Sequence, residues 1–213
     1  MPDVASHLTE LELDALTELV NLGVSNAALS LHELVRDEVA LSVPRVAMVT
    51  RNQAIADLAK TNSSRLVAVQ QNFKGEISGR ALLIFPETKS MELVRVVVGG
   101  DLSLEDIIEL EQEALAETGN ILLNGCLGTI ANSLQRSLDI SLPEVIYGVG
   151  SEFFAATPGS ETGDGVVFVH ITFAVRRRDI EGYIAMLLDF PSAKNLKDLI
   201  GAYIERSVGY NPQ

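Results

Sequence analysis

Hydrophobic and polar residues follow two different periods along this chain, which predict a succession of long helices and short strands. Two long stretches, residues 7–35 and 103–138, carry apolar side chains at the 3.6-residue spacing of an amphipathic helix. Both open with a hydroxyl residue followed three positions later by a carboxylate, Thr9 in the first and Ser103 in the second. This capping box satisfies the free N–H groups at a helix start, so we expect two long helices beginning near these residues.

The same succession of shorter segments follows each long helix. It comprises a strand led by proline, a short helix, two extended runs joined by a turn, and a further helix after a Phe-Pro dipeptide. The first series has its segments at 44–50, 53–60, 66–74 and 78–85, and the second at 143–149, 152–156, 166–175 and 182–190. The offset between the two series is about 100 residues throughout. Residues 94–98 are apolar enough to fit either a strand or a helix.

This repetition predicts one domain over residues 1–213 that is built from two repeats, about 7–100 and 103–208. The predicted fold class is α/β, an internally duplicated pseudo-two-fold domain. Its hairpins would form a mostly antiparallel sheet flanked by helices, and the two long helices would occupy equivalent positions in the two halves.

A stripe of polar residues runs along each of the two long helices. In the first helix its members are spaced i, i+4, i+7 and i+11, which places them on one face of a 3.6-residue helix. They are Asp14, Glu18, Asn21 and Ser25, and the residues at the same four positions of the second helix are Glu113, Glu117, Asn120 and Asn124. The glutamates and asparagines of the two stripes are both 99 residues apart.

A polar stripe on an amphipathic helix is most often a solvated face, and this interpretation stays open for either stripe taken alone. Three fixed residue types at set positions recur by chance about once in 10⁴ starting points, given ordinary amino-acid frequencies. Two such sets at the same place in a repeat are therefore not readily accidental. Common descent of the two halves could nevertheless keep them without a function.

Composition and charge exclude several classes of function. The chain has 16 Lys and Arg against 29 Asp and Glu, a net charge of −13, which disfavours nucleic acid and anionic membrane surfaces as partners. One cysteine and three histidines give neither an internal disulfide nor a zinc cluster. The uncharged stretch 118–135 is too rich in asparagine and glycine for a lipid environment. The N-terminus does not resemble a secretory signal, so we expect a cytoplasmic protein without membrane insertion.

Other candidates for chemistry have ordinary structural interpretations. Cys126 lies among apolar residues of the second long helix, which favours an inert core thiol. The glycines near positions 99 and 148 do not form a phosphate-binding loop, and the run Arg176 to Arg178 is typical of a solvated hairpin turn. His32 and His170 have no partner at a spacing that indicates nucleophilic catalysis.

The stripes and the prolines that follow them carry a resemblance to a known family. An acidic residue, Glu four positions on, Asn three further and Pro 23 residues later occur twice, with the prolines at 44 and 143. This doubled pattern resembles the CheC family of chemotaxis phosphatases, which includes CheC, CheX and FliY. The run from Gly23 to Asn26 resembles the usual continuation of the motif, and Glu113 departs from it because Asp or Ser is usual there. The similarity extends from about Leu8 to Glu205.

The resemblance implies a phosphatase that hydrolyses the aspartyl phosphate of a CheY-like response regulator in chemotaxis signalling. The regulator supplies the Mg²⁺ and a lysine, so the phosphatase needs no cofactor of its own, and its task is to position a water. Asn21 and Asn120 would orient this water, since an amide both accepts and donates hydrogen bonds. Glu18 and Glu117 would pair with the regulator's lysine. The remaining stripe residues would contact the partner's rim or be merely solvated: Asp14, Ser25, Glu113 and Asn124.

A second hypothesis comes from a different functional class. The chain could be a non-catalytic binding module, either a flagellar-switch component or a partner of a response regulator or of CheD, a deamidase that relatives of CheC bind. Intact Glu and Asn in both halves favour the enzyme, because a scaffold has no need of the two residues together. The sequence does not fix the oligomeric state, but a monomer is plausible because the internal duplication already provides two halves within one chain.

Overall fold

The computed structural model describes residues 8–35, 39–42, 45–60, 65–98, 103–155, 165–175, 178–188 and 190–209. Within these ranges six helices and eight strands alternate in two series. The first series is α1 (Glu10–Val35), β1 (Val39–Leu41), β2 (Arg45–Thr50), α2 (Arg51–Ala59), β3 (Leu66–Gly75), β4 (Gly79–Pro86) and α3 (Glu87–Val98). The second is α4 (Leu104–Ser133), β5 (Leu138–Ile140), β6 (Glu144–Gly148), α5 (Gly150–Phe153), β7 (Gly165–Val175), β8 (Arg178–Leu188) and α6 (Phe190–Gly209).

Both long helices begin with the predicted capping boxes. The Thr9 N–H donates to Glu12 Oε2 at 2.7 Å, and the Glu12 N–H donates to Thr9 Oγ1 at 3.3 Å. The Ser103 N–H donates to Asp106 Oδ2 at 3.1 Å, and the Asp106 N–H returns to Ser103 Oγ at 3.2 Å. Each pair satisfies two backbone donors at its helix start, which fixes where α1 and α4 begin.

The eight strands form one sheet, in which equivalent strands of the two series occupy symmetric positions about the centre. The path runs β1-β7-β8-β4-β3-β5, with β2 also paired to β7 and β6 also paired to β3. All of these pairs are antiparallel. The β4–β8 pair lies at the centre and joins the two hairpins, β3–β4 and β7–β8. The outer strand of each hairpin pairs with two short strands from the other series. The predicted fold class is therefore confirmed, while the repeat boundaries stay a prediction.

The core lies on both faces of this sheet but is unequal in size. The larger cluster packs α1, α4, α3 and α6 against one face, where alternate β3 residues such as Val67 and Val69 point. The smaller cluster packs the short helices α2 and α5 against the other face, where Ala68 and Leu82 point. The period-2 alternation of the strands sorts their side chains between the two clusters. None of the described helices has the length and apolar character needed to cross a lipid bilayer.

The two long helices pack against each other at a close crossing. A Cβ on Gly23 would lie 2.7 Å from the Cα of Cys126, and a Cβ on Gly125 would lie 2.7 Å from the Cβ of Ala27. Next to this crossing, Asn26 Nδ2 donates to Thr129 Oγ1 at 3.1 Å. Small residues at the contact let the backbones approach more closely than larger side chains would allow.

Several boundaries differ from the sequence prediction. The predicted second helix extends to 138, whereas α4 ends at Ser133 and residues 138–140 pair with β3 as β5. The change of structure occurs at Gln135, whose φ of 58° is left-handed. Residues 94–98 belong to α3, and β8 begins at Arg178, which the prediction placed in a turn. Strand β1 was not predicted, and Pro44 lies outside the described residues.

The helix crossing predicts opposite outcomes for two glycine substitutions. Gly23→Ala should lower the free energy of unfolding by about 1–3 kcal/mol, because its methyl group would overlap the α4 backbone. Gly128→Ala in α4 should raise it by up to about 1 kcal/mol, because nothing lies within 4 Å of the added Cβ and alanine favours a helix. Urea denaturation followed by circular dichroism measures both. Equal stability of the two variants would contradict the crossing.

Candidate functional site

The predicted glutamates lie on the solvent-exposed sides of α1 and α4, and the predicted asparagines lie half-buried beside them. On α1, Leu16, Leu19 and Val20 are buried in the larger cluster, which leaves Glu18 exposed and Asn21 half-buried. On α4, Leu115 and Thr118 are buried while Glu117 is exposed and Asn120 is half-buried. In both helices, burial of the apolar face therefore leaves the glutamate exposed to solvent and the asparagine at the border of the buried face.

The remaining members of the stripes extend the same surfaces. Asp14 and Ser25 on α1 are exposed, as is Glu113 on α4. Asn124 is half-buried and donates from Nδ2 to Asn120 Oδ1 at 2.8 Å. Each stripe thus holds its predicted residues along one helix face, and Asn124 is joined directly to the predicted site amide.

A buried glutamine makes a further contact to the second site. Gln71 of β3 is 1% exposed, and its Nε2 donates to Asn120 Oδ1 at 3.2 Å and to the Ser141 carbonyl at 2.8 Å. Sequence reasoning missed this residue. A signal was present, because Gln71 breaks an apolar alternation that otherwise runs through Val67, Val69 and Phe73.

The first site has no equivalent of the hydrogen bonds that join Gln71 and Asn124 to Asn120 among the residues that the structure describes. Strand register gives the equivalent positions, since Gln70 is opposite Glu144 in the β3–β6 pair and His170 is opposite Arg45 in the β7–β2 pair. Residue 171 is therefore the counterpart of Gln71, and it is Ile171, which is 1% exposed. Among the side-chain hydrogen bonds between described residues, none involves the amide of Asn21.

The exposed face of α1 also carries apolar side chains. Leu22 is 43% exposed beside Asn21, and Leu11 and Leu29 are 60% and 65% exposed. They follow the polar stripe, because Leu22 is four residues from Glu18 and Leu29 is four residues from Ser25. An outward face that mixes leucine, carboxylate and amide groups suits contact with a protein surface better than with a small ion.

The other candidates for chemistry have structural surroundings. His170 is half-buried and stacks on Tyr183 with ring centroids 4.8 Å apart. Cys126 is buried at the helix crossing, and desolvation raises the pKa of its thiol to about 12. Within the described ranges, no group of three or more His, Cys, Asp or Glu side chains could hold a metal ion. The stripes on α1 and α4 therefore remain the candidate site.

Comparison with known proteins identifies relatives of the same type as the sequence resemblance. A sequence model of the CheC-like family matches residues 11–48, which include Glu18 and Asn21. The chain is 23% identical over 206 residues to the CheY-P phosphatase CheC of Bacillus subtilis, covering 92% of this chain and 96% of that protein. It is 24% identical over 147 residues to the flagellar motor switch phosphatase FliY of Bacillus subtilis, covering 68% of this chain and 38% of FliY.

The fold also matches a solved structure. The crystal structure of Thermotoga maritima FliY superimposes with a TM-score of 0.73 at 17% identity, covering 92% of this chain and 98% of that one. This likeness shows that the two chains share a fold. The family-model match and the two relatives confirm the predicted resemblance to the CheC family.

The burial of Cys126 predicts an unreactive thiol. Its pKa near 12 keeps the thiol protonated at pH 8 in the folded state, whereas an unfolded cysteine with a pKa of 9.0 is partly thiolate there. A thiol-reactive dye at pH 8 should therefore label denatured protein within minutes and leave native protein largely unmodified over the same time. Rapid labelling of native protein at pH 8 would show that Cys126 is accessible.

Proposed function

We propose that this chain is a phosphatase that hydrolyses the aspartyl phosphate of a CheY-like response regulator. The observation that carries the proposal is the duplicated pair of an exposed glutamate and a half-buried asparagine, one helical turn apart on α1 and on α4. Homology to proteins named CheY-P phosphatase CheC and flagellar motor switch phosphatase FliY supports the same substrate class. Since both pairs belong to one chain, we propose that a monomer suffices for activity. Binding to CheD is a further proposal that comes from the resemblance.

The chemistry asks for positioning rather than for a nucleophile from the protein. A water oxygen attacks the phosphorus, the bond between phosphorus and the aspartate oxygen breaks, and the carboxylate leaves with the bonding electrons. The protons of the water pass to the phosphate product and to solvent. We place the Mg²⁺ on the regulator, where it neutralises charge on the phosphoryl group. The phosphatase contributes an amide that holds the water in line behind the phosphorus.

An asparagine is suited to this place because its side chain is short, neutral and polar. A carboxylate at the same point would repel the phosphoryl oxygens, whereas an amide adds no charge. Glu18 and Glu117 lie one turn before the asparagines and are exposed, so each can reach a cation on the partner. We assign to them an ion pair with the regulator's lysine, which would fix the docking geometry. Rigid helices hold the two groups at a constant separation.

Removing both asparagines tests the proposal. The double variant Asn21→Ala and Asn120→Ala should lose all acceleration of phosphate release from a purified, phosphorylated CheY-like regulator while keeping its circular dichroism spectrum. Asn132→Ala, at an exposed position near the end of α4, is the matched control and should retain wild-type turnover. Full turnover by the double variant would refute the assignment. A wild-type protein that leaves the regulator's own decay unchanged would favour the binding-module hypothesis instead.

Neutralising both glutamates tests the docking role. Glu18→Gln with Glu117→Gln should raise KM for the phosphorylated regulator by about fivefold at low salt, since a solvent-accessible ion pair contributes up to about 1 kcal/mol. The effect on kcat should be smaller, and the difference in KM should shrink as salt screens the charges. Glu205→Gln on α6, also exposed, is the control. Unchanged KM at low salt would exclude the proposed ion pair.

A further inference from the structure

We propose that Gln71 is a positioning residue that presets the amide of Asn120, so that the second site is ordered before the regulator docks and the first is not. This inference rests on the proposed function and concerns the difference between its two sites. It is carried by a chain of hydrogen bonds that begins at a backbone carbonyl and ends at the surface of α4.

The backbone carbonyl of Ser141 is the fixed point of this chain. Ser141 lies between β5 and β6, and its N–H donates to the carbonyl of Asn72 at 2.9 Å. In return, the Asn72 N–H donates to Ser141 Oγ at 3.0 Å. These two bonds hold the segment on β3, so the position of the Ser141 carbonyl is set by the sheet.

The carbonyl of Ser141 decides which way the amide of Gln71 faces. A carbonyl oxygen accepts hydrogen bonds and never donates them, so the Gln71 atom 2.8 Å away is the Nε2 amine. The opposite orientation would place two oxygens in contact. Because Nε2 has two protons, the second is available for Asn120 at 3.2 Å.

The orientation of Gln71 in turn fixes that of Asn120. The Asn120 atom facing Nε2 must be the acceptor Oδ1, and the same oxygen accepts from Asn124 Nδ2 at 2.8 Å. Two donors occupy both lone pairs of this oxygen. The Nδ2 of Asn120 makes none of the hydrogen bonds between described residues and is not among the buried atoms without a partner. The second site therefore presents an NH₂ group to an incoming water or phosphoryl oxygen.

The fold itself does not require an amide at position 71. The equivalent Ile171 is equally buried, so an apolar side chain fits this place in the other half. Burying an amide is unfavourable unless its polar atoms are bonded, and Gln71 Oε1 is buried without a partner among the described residues. Gln71 therefore leaves a buried polar atom without a partner, which the isoleucine in the other half does not. Since Gln71 also orients a site amide, function explains its presence better than packing does.

The helix carrying Asn120 lies unusually close to the strand carrying Gln71. A Cβ on Gly119 would overlap the side chain of Val69, so only glycine permits this approach. The counterpart of Gly119 on α1 is Val20, which is buried and larger. The counterpart of Asn124 is Ser25, which is exposed. The first site thus differs at three of the positions that hold the amide of the second, namely 20, 25 and 171, while the counterpart of Ser141 is also a serine, Ser42.

A single-site background tests the proposal. In a protein that carries Asn21→Ala, so that only the second site can act, Gln71→Met should lower kcat by about tenfold and leave KM within about twofold. Methionine keeps the length and volume of glutamine and removes its donors. Ile171→Met in the same background is the matched control and should leave both constants unchanged. Unchanged kcat in the Gln71 variant, or an equal loss in the Ile171 variant, would overturn the proposal.

Side-chain amide exchange with solvent, measured by NMR on the wild-type protein, tests the hydrogen bonds without any turnover. The Gln71 NH₂ protons should exchange at least about tenfold more slowly than those of Asn21, because both protons of Gln71 are hydrogen-bonded and buried. In Gln71→Met protein, the Asn120 NH₂ resonances should move while those of Asn21 stay in place. Exchange of Gln71 as fast as that of Asn21 would overturn the preset amide. Absence of turnover in the wild type would instead overturn the proposed function, and absence in Asn21→Ala alone would overturn an active second site.

Discussion

The close approach of α4 to β3 is the constraint on which the second half of the molecule depends. Gly119 leaves no side chain between the helix backbone and Val69, so the helix lies directly on the strand. Asparagine has a short side chain, and at a larger separation Asn120 could not reach an amide that belongs to the sheet. The same contact also sets how far Glu117 and Asn120 stand above the core.

The crossing of α1 and α4 applies a similar constraint to the whole helix layer. Gly23 and Gly125 bring the two backbones together, and their contact fixes each helix in rotation as well as in distance. Rotation matters because a turn of about 100° would bury an asparagine and expose a leucine. The sheet is arranged about the β4–β8 pair, and the two helices occupy equivalent places in the two halves. The two halves therefore share a scaffold, while the residues beneath the two asparagines differ.

Much of this organisation could be predicted from the sequence, because it follows from the local periodicity of hydrophobic and polar residues. The long helices, the order of elements and the Glu–Asn pairs follow from spacing, and the pairs stand out since they recur in register. Strands β1 and β5 could not be predicted, because three residues are too few to show a period and their partners β7 and β3 are distant in sequence. Gln71 was missed for the same reason. Its break in the alternation was visible, but its meaning depends on a helix about 50 residues away.

The negative charge of the molecule gives a further reason why a neutral amide suits the proposed site. With a net charge of −13 on the chain and glutamates on both stripes, the field of the protein would oppose the approach of a phosphoryl group. A neutral amide is the group that can approach the phosphoryl oxygens without adding to that repulsion, and on α4 its donor end faces outward. Exposed leucines on α1 supply attraction that does not depend on charge. Under the proposed function, the stripe on α1 would bind the regulator more through apolar contact and the stripe on α4 more through its oriented amide. This difference is a physical reason to expect two sites of unequal character.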